Sequence, residues 1–201
     1  MRLLLARHGQ TDWNLAQRFQ GHSDVSLNEL GVKQAKAMKS RLGNETIDFI
    51  YSSDLCRASE TARIVSEDTI QIQTDARLRE VNFGGWEGLT YAEIQEKYPN
   101  ELIAWEKNVF QTVSPNGENL SQVTKRVQVF LDELRTSKEN KTILLVTHGG
   151  VIKILVCLAL NIPVTMYWQF QVAPASLSEI GFYPAGAILS LLNDANHLGD
   201  L

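Results

Sequence analysis

The sequence predicts an α/β fold, a three-layer α/β/α sandwich around a mostly parallel central sheet. Three observations carry that prediction. Short apolar runs alternate with helical periodicities along the 201 residues, the order expected when strands are joined by crossover helices. Ile143-Leu144-Leu145-Val146, inside the strand predicted over Thr142–Thr147, is continuously apolar, as in a strand covered on both faces. Leu3-Leu4-Leu5-Ala6 runs into Arg7-His8-Gly9, the pattern of a buried strand delivering a loop.

The remaining elements follow in chain order. Ser26-Leu27-Asn28-Glu29 has the pattern of a capping box opening a helix towards Leu42, with Gly43-Asn44 as its stop. Ile47–Tyr51 reads as a strand and Ser52-Ser53-Asp54 as the start of a helix that buries Leu55, Ala58, Ala62 and Val65. A short strand is expected at Ile70–Gln73, and Thr90-Tyr91-Ala92-Glu93 is a second capping box for a segment helical to Trp105 around Pro99. Ser121 is the expected cap of a long amphipathic helix with Val123, Val127, Phe130, Leu131 and Leu134 inward. Gly149-Gly150 open a helix through Val151, Ile154, Leu155 and Leu158, and Ala175–Phe182 and Ala187–Leu192 form two strands joined at Tyr183-Pro184-Ala185-Gly186. One domain over 1–201 is expected, with a small cap at about 83–119.

Composition narrows the function classes. With 44% apolar and 21% charged residues the chain has the means to build a core. A net charge of −4 argues against nucleic acid or an anionic membrane as partner. The first apolar run is shorter than a signal-peptide core, and Lys153 interrupts the run from Val151 to Leu160, so a cytoplasmic chain without a membrane span is expected. Cys56 and Cys157 have neither disulfide-framework nor metal spacing and are expected as reduced thiols.

The chemistry-bearing residues fall at strand ends. Arg7-His8-Gly9 follows the first apolar run, Thr147-His148-Gly149-Gly150 the strongest one, and Arg57 lies just beyond a third. Functional groups of open α/β sheets gather at the carboxyl ends of strands, so all four side chains point to one site. Singly, each has a structural explanation: a hydrogen-bonded histidine or a solvated arginine. Together they would cost several kcal/mol in a low-dielectric cleft without an anion, and a phosphate group supplies one. Zinc would need three or four ligands, and neither histidine has a Cys or Asp at ligand spacing; no metal and no cofactor is expected.

Arg7-His8-Gly9-Gln10-Thr11-Asp12-Trp13-Asn14 resembles the signature of the histidine phosphatase superfamily, the phosphoglycerate-mutase-like proteins. Leu27 with Gly31, Tyr51 to Ala62 around Arg57, Leu78-Arg79-Glu80 with Phe83-Gly84-Gly85-Trp86-Glu87-Gly88, and Val146 to Gly150 match its further elements in order. The resemblance implies that His8 is a nucleophile phosphorylated in turnover, its other ring nitrogen donating to a carbonyl such as that of Gly9. Arg7, Arg57 and His148 would hold the equatorial phosphoryl oxygens, with amides at Gly149 and Gly150 adding contacts. Glu80 would protonate the leaving group; its alternative is a salt bridge to Arg77 or Arg79. Thr11 and Asn14 correspond to positions completing phosphate or substrate contacts, and Gln20, Gly21 and His22 to a loop rimming the entrance.

Mutases and phosphatases share that core. The mutase branch carries adjacent arginines in the cap to grip a carboxylate, whereas this chain has Trp105-Glu106-Lys107-Asn108 and no arginine between Arg79 and Arg126. A phosphatase acting on a small-molecule phosphomonoester is therefore expected, α-ribazole 5′-phosphate of cobalamin assembly being the candidate that the short cap, Gly21-His22 and Trp168-Gln169-Phe170 suggest by similarity. The cap segment holds Trp86, Tyr91, Tyr98, Trp105 and Phe110, which either line a pocket for such a substrate or pack the cap. A phosphoglycerate mutase and a non-catalytic phosphate-binding module are the alternatives; the second predicts a gap among Arg7, His8, Arg57, Glu80 and His148, and none exists. Between a monomer and a homodimer the sequence makes no choice.

Overall fold

The computed structural model describes residues 1–67, 70–199 and 201. Six strands form one sheet in the order β3-β2-β4-β1-β5-β6, from β1 (Arg2–Arg7), β2 (Phe49–Ser52), β3 (Ile72–Thr74), β4 (Thr142–Thr147), β5 (Leu177–Tyr183) and β6 (Gly186–Asp194). The β3-β2-β4-β1 section is parallel, and β5 and β6 add an antiparallel hairpin at the β1 edge. Helices α1 (Asp12–Leu15), α2 (Glu29–Leu42), α3 (Cys56–Ser66), α4 (Tyr91–Lys97), α5 (Pro99–Lys107), α6 (Leu120–Ser137) and α7 (Gly149–Leu160) complete the chain.

Side-chain alternation along the strands makes the three layers. Leu4, Ala6, Ile50, Leu144 and Val146 pack with Met38, Leu42 and Ala62 of α2 and α3. Leu3, Leu5, Ile143 and Leu145 face the other way, onto Val127, Phe130 and Leu131 of α6 and Val151 and Leu155 of α7. This explains the unbroken apolar run of β4, a central strand buried on both faces.

A third, smaller cluster joins Trp86, Ile94 and Leu102 with Phe19, Phe83, Leu89, Tyr98 and Trp105. It lies in the segment carrying α4 and α5, whose boundary is set by Pro99 as the first residue of α5, the helix position where a missing N–H costs least.

Two helix starts differ from the sequence expectation. The cap of α2 is Asn28, not Ser26: its side chain accepts from Gly31 N–H at 2.8 Å while its amide donates to Gln10 and Asp12. The cap of α6 is Asn119, not Ser121, with Gln122 closing a reciprocal box. In both cases Asn forms the cap and also bonds a neighbouring segment, which serine's single hydroxyl does less well. The third helix begins at Cys56, three residues beyond Ser53, which is engaged elsewhere. The capping box at Thr90 and Glu93 forms as expected.

Candidate active site

The sheet order creates a switch point. From β1 the chain crosses to β2 on one side, and from β4 it returns to β5 on the other. A crevice opens beyond the carboxyl ends of strands at such a point. Arg7 and Thr147 are register partners, so the next residues, His8 and His148, leave adjacent strands side by side. Their rings stand edge to face with centroids 5.1 Å apart. Both are buried, as is Arg57 in the first turn of α3.

Each group has a defined set of partners. His8 Nδ1 lies 2.7 Å from the Gly9 carbonyl, and because a carbonyl only accepts, Nδ1 carries the proton and Nε2 presents its lone pair. The backbone of His8 is tied to Thr147 and Ala175. Arg57 donates to the carbonyls of Ser23 and Gly21, and Arg7 to that of Val172. Nε of Arg7, Nε of Arg57 and Nδ1 of His148 are buried without a partner. Three unsatisfied nitrogens near a ring that presents a lone pair suit the binding of an anion.

Burial, reinforced by Arg7 and Arg57, holds His8 well below the ordinary histidine pKa. Burial, then Arg57, His8 and Arg7, does the same to His148. Both rings are thus neutral in the folded protein while free to protonate near pH 6.5 when unfolded. The unfolded chain binds more protons below that pH, so the contribution of these rings to stability is complete above pH 6.5 and falls as the pH drops towards the folded values, by up to about 1.4 kcal/mol per ring per pH unit. We expect the melting temperature to decline between pH 6.5 and 5.5, and that of His8→Ala to decline less steeply. Parallel curves for the two proteins would contradict this.

Glu80 sits at the amino end of α7, where its carboxylate accepts from the amides of Gly150 at 3.1 Å and Val81 at 2.9 Å. A Cβ on Gly150 would come 2.3 Å from the Glu80 carboxylate, so this approach requires glycine. The neighbouring arginines are paired with other carboxylates: Arg77 with Asp75 and Glu133, and Arg79 with Asp54. Glu87 is occupied by the amides of His22, Ser23 and Phe83, and Asp12 is exposed.

Arg7, His8, Asn14, Gln20, Arg57 and Glu80 share the wall of a cavity of about 270 Å³. His148 lies beside His8. Thr11 is buried and caps α1 reciprocally with Asn14, so its hydroxyl is engaged in that turn. Gly21 contributes through its conformation: its φ is +53°, and a Cβ would collide with the Glu87 carboxylate. Gly149 is the first residue of α7, where a Cβ would lie in ordinary contact, 3.5 Å, with the Arg7 guanidinium.

Several participants carry no sequence signal of their own. Gln17, Arg18 and Phe19 also line the cavity, beside Phe83 of the segment that the family resemblance marks. Arg126 of α6 donates to the carbonyls of Arg77, Arg79 and Glu80 and to Glu118, fixing the strap that carries Glu80. No local pattern announces such a long-range contact. The cap aromatics mostly pack: Trp86 and Trp105 meet edge to face in the third cluster with Tyr98, Phe110 joins the main core, and Tyr91 bonds Glu106 at the surface. Among the described residues no group of three His, Cys, Asp or Glu could hold a metal ion, and no helix is long and apolar enough to cross a membrane.

Fold and site together define an α/β enzyme with paired histidines at the switch point of its sheet. The chain belongs to the histidine phosphatase superfamily (branch 1), whose family pattern matches residues 3–195, and it is a phosphatase. It is 33% identical to phosphoserine phosphatase 1 of Hydrogenobacter thermophilus over all of this chain and 95% of that one. It is 39% identical to the glucosyl-3-phosphoglycerate phosphatase of Mycobacterium tuberculosis over 81% of this chain and 77% of that one. The crystal structure of the α-ribazole phosphatase from Shigella flexneri superposes with a TM-score of 0.91 at 30% identity, covering 96% of each chain.

Proposed function

We propose that the enzyme hydrolyses small, polar phosphomonoesters through a phosphohistidine at His8, with Glu80 as proton donor and acceptor. The observation that carries this reading is the set of buried, unpartnered nitrogens of Arg7, Arg57 and His148 around a histidine whose Nε2 lone pair is free. The phosphoryl group takes up those donors, and its spreading charge in the transition state is met by groups already in place. His8 Nε2 attacks phosphorus as the P–O bond to the alcohol breaks, and Glu80 gives its proton to the departing oxygen. Water then forms the new P–O bond, Nε2 leaves, and Glu80 receives the proton of that water. Inorganic phosphate departs.

The cavity wall supports a polar substrate. Asn14, Gln17, Arg18 and Gln20 outnumber Phe19 and Phe83 there, and the cap tryptophans are turned into their own core. That favours a monoester of the phosphoserine type. The edge-to-face pair of Phe19 and Phe83, with centroids 4.9 Å apart, supports α-ribazole 5′-phosphate as a second reading.

A substrate series distinguishes them. Phosphate release is measured from phosphoserine, α-ribazole 5′-phosphate, glucosyl-3-phosphoglycerate and 3-phosphoglycerate, with a chelator present because the arginines already supply the positive charge that a metal would bring. We expect turnover under chelation and a kcat/KM for phosphoserine at least about tenfold above that for α-ribazole 5′-phosphate, or about 1.4 kcal/mol in the barrier. The reverse order supports the second reading. Isomerisation of 3-phosphoglycerate faster than its hydrolysis, in the presence of the bisphosphate, would replace both with a mutase.

A further inference from the structure

We propose that Ser53 is a positioning residue: its hydroxyl donates to Nε2 of His148 and so fixes that ring with the proton on Nδ1, the nitrogen that then donates to the phosphoryl group. The inference rests on the reading of the pocket as a phosphoryl site and adds to it a cause for the donor state of His148.

Strand register brings the two residues together. Ser52 of β2 pairs with Val146 of β4, so Ser53 leaves its strand beside the end of β4, close to His148. Ser53 is completely buried, its backbone N–H bonded to the Val146 carbonyl. Its Oγ lies 2.9 Å from His148 Nε2 and also accepts from the Leu55 amide at 3.3 Å.

A hydroxyl has one proton and two lone pairs. The Leu55 amide occupies one lone pair, and among the described residues the imidazole nitrogen is the acceptor within reach of the O–H. Donation to Nε2 therefore satisfies both groups. The opposite arrangement, Nε2–H pointing at Oγ, would leave the serine proton without a partner in a fully buried place, at a cost of about 1–3 kcal/mol. It would also leave Nδ1 as a bare lone pair where a phosphoryl oxygen, itself only an acceptor, has to sit. Since the buried ring is neutral, only one nitrogen carries a proton, and Ser53 decides which. This is the arrangement by which a buried partner commonly fixes the tautomer of a functional histidine.

The test is nitrogen NMR on protein carrying isotope-labelled histidine at neutral pH. The chain has four histidines, and single substitutions assign their long-range proton–nitrogen patterns. We expect His148 in the wild type to show a protonated Nδ1 and an unprotonated Nε2. Ser53→Ala should show a mixture of tautomers, with kcat lowered by roughly 10–100-fold, the range for a lost partner of a functional histidine. Ser53→Thr, which keeps the hydroxyl, should restore the wild-type pattern. A wild-type His148 protonated at Nε2, or a Ser53→Ala protein with unchanged pattern and kcat, would overturn the proposal. Added vanadate reports on the other reading separately: if it leaves the signals of both His8 and His148 unmoved, the phosphoryl site is misplaced whatever the tautomer.

Discussion

His8→Ala should fold and release no measurable phosphate. The ring contributes one backbone-directed hydrogen bond and is otherwise turned towards the cavity, while the main-chain bonds of residue 8 to Thr147 and Ala175 survive the substitution. Removing a covalent nucleophile takes away the whole two-step route, and losses on the order of 10⁶ accompany that change in other enzymes. We therefore expect kcat to fall by at least about 10⁴-fold, or about 5.4 kcal/mol in the barrier. Melting and circular dichroism should stay native-like at a pH of about 7.5, above the range where the histidines titrate. Retention of more than a few per cent of activity would remove His8 from the chemistry.

Glu80→Gln should separate substrates by their leaving groups. An acid matters most when the departing alkoxide is a poor leaving group, and general acid catalysis contributes roughly 10²–10⁴-fold. An alkyl phosphate should lose that much, whereas p-nitrophenyl phosphate, whose leaving group departs without help, should lose far less. Glu80 satisfies the amides of Val81 and Gly150 with separate oxygens, and glutamine keeps one of the two, so melting should fall modestly while the ratio of the losses on the two substrates reports the acid role. Equal losses on both substrates would give Glu80 a purely structural role. That role would rest on the amides of Gly150 and Val81 and not on a salt bridge, since Arg77 and Arg79 are committed to Asp75, Glu133 and Asp54.

The features legible in the sequence are those with local causes. The continuous apolar run of β4 suits a strand covered twice, and it ends at Thr147 as its pattern predicts. His8 and His148 are placed together because each follows such a run, and the register of β1 on β4 does the rest. What stays hidden depends on contacts made at a distance. Asn28 displaces Ser26 as a cap because Gln10 and Asp12 also engage its amide. Ser53 looks like a helix start, yet its hydroxyl is spent on His148, which follows a different strand. The cap aromatics have the same composition whether they line a pocket or fill a core, and only the packing of Trp86 on Trp105 decides. Arg126 reaches three carbonyls 46 to 49 residues away, a separation at which no sequence spacing speaks.

A phosphohistidine path requires two displacements at phosphorus, the first by His8. Each in-line displacement inverts the phosphorus centre, so two restore it. The direct measurement is the stereochemical course with a thiophosphate monoester made chiral by heavy oxygen and turned over in isotopically labelled water. Two displacements give net retention of configuration, and that is the expected result. Net inversion would mean that water attacks the substrate directly, and would contradict a phosphohistidine on the path.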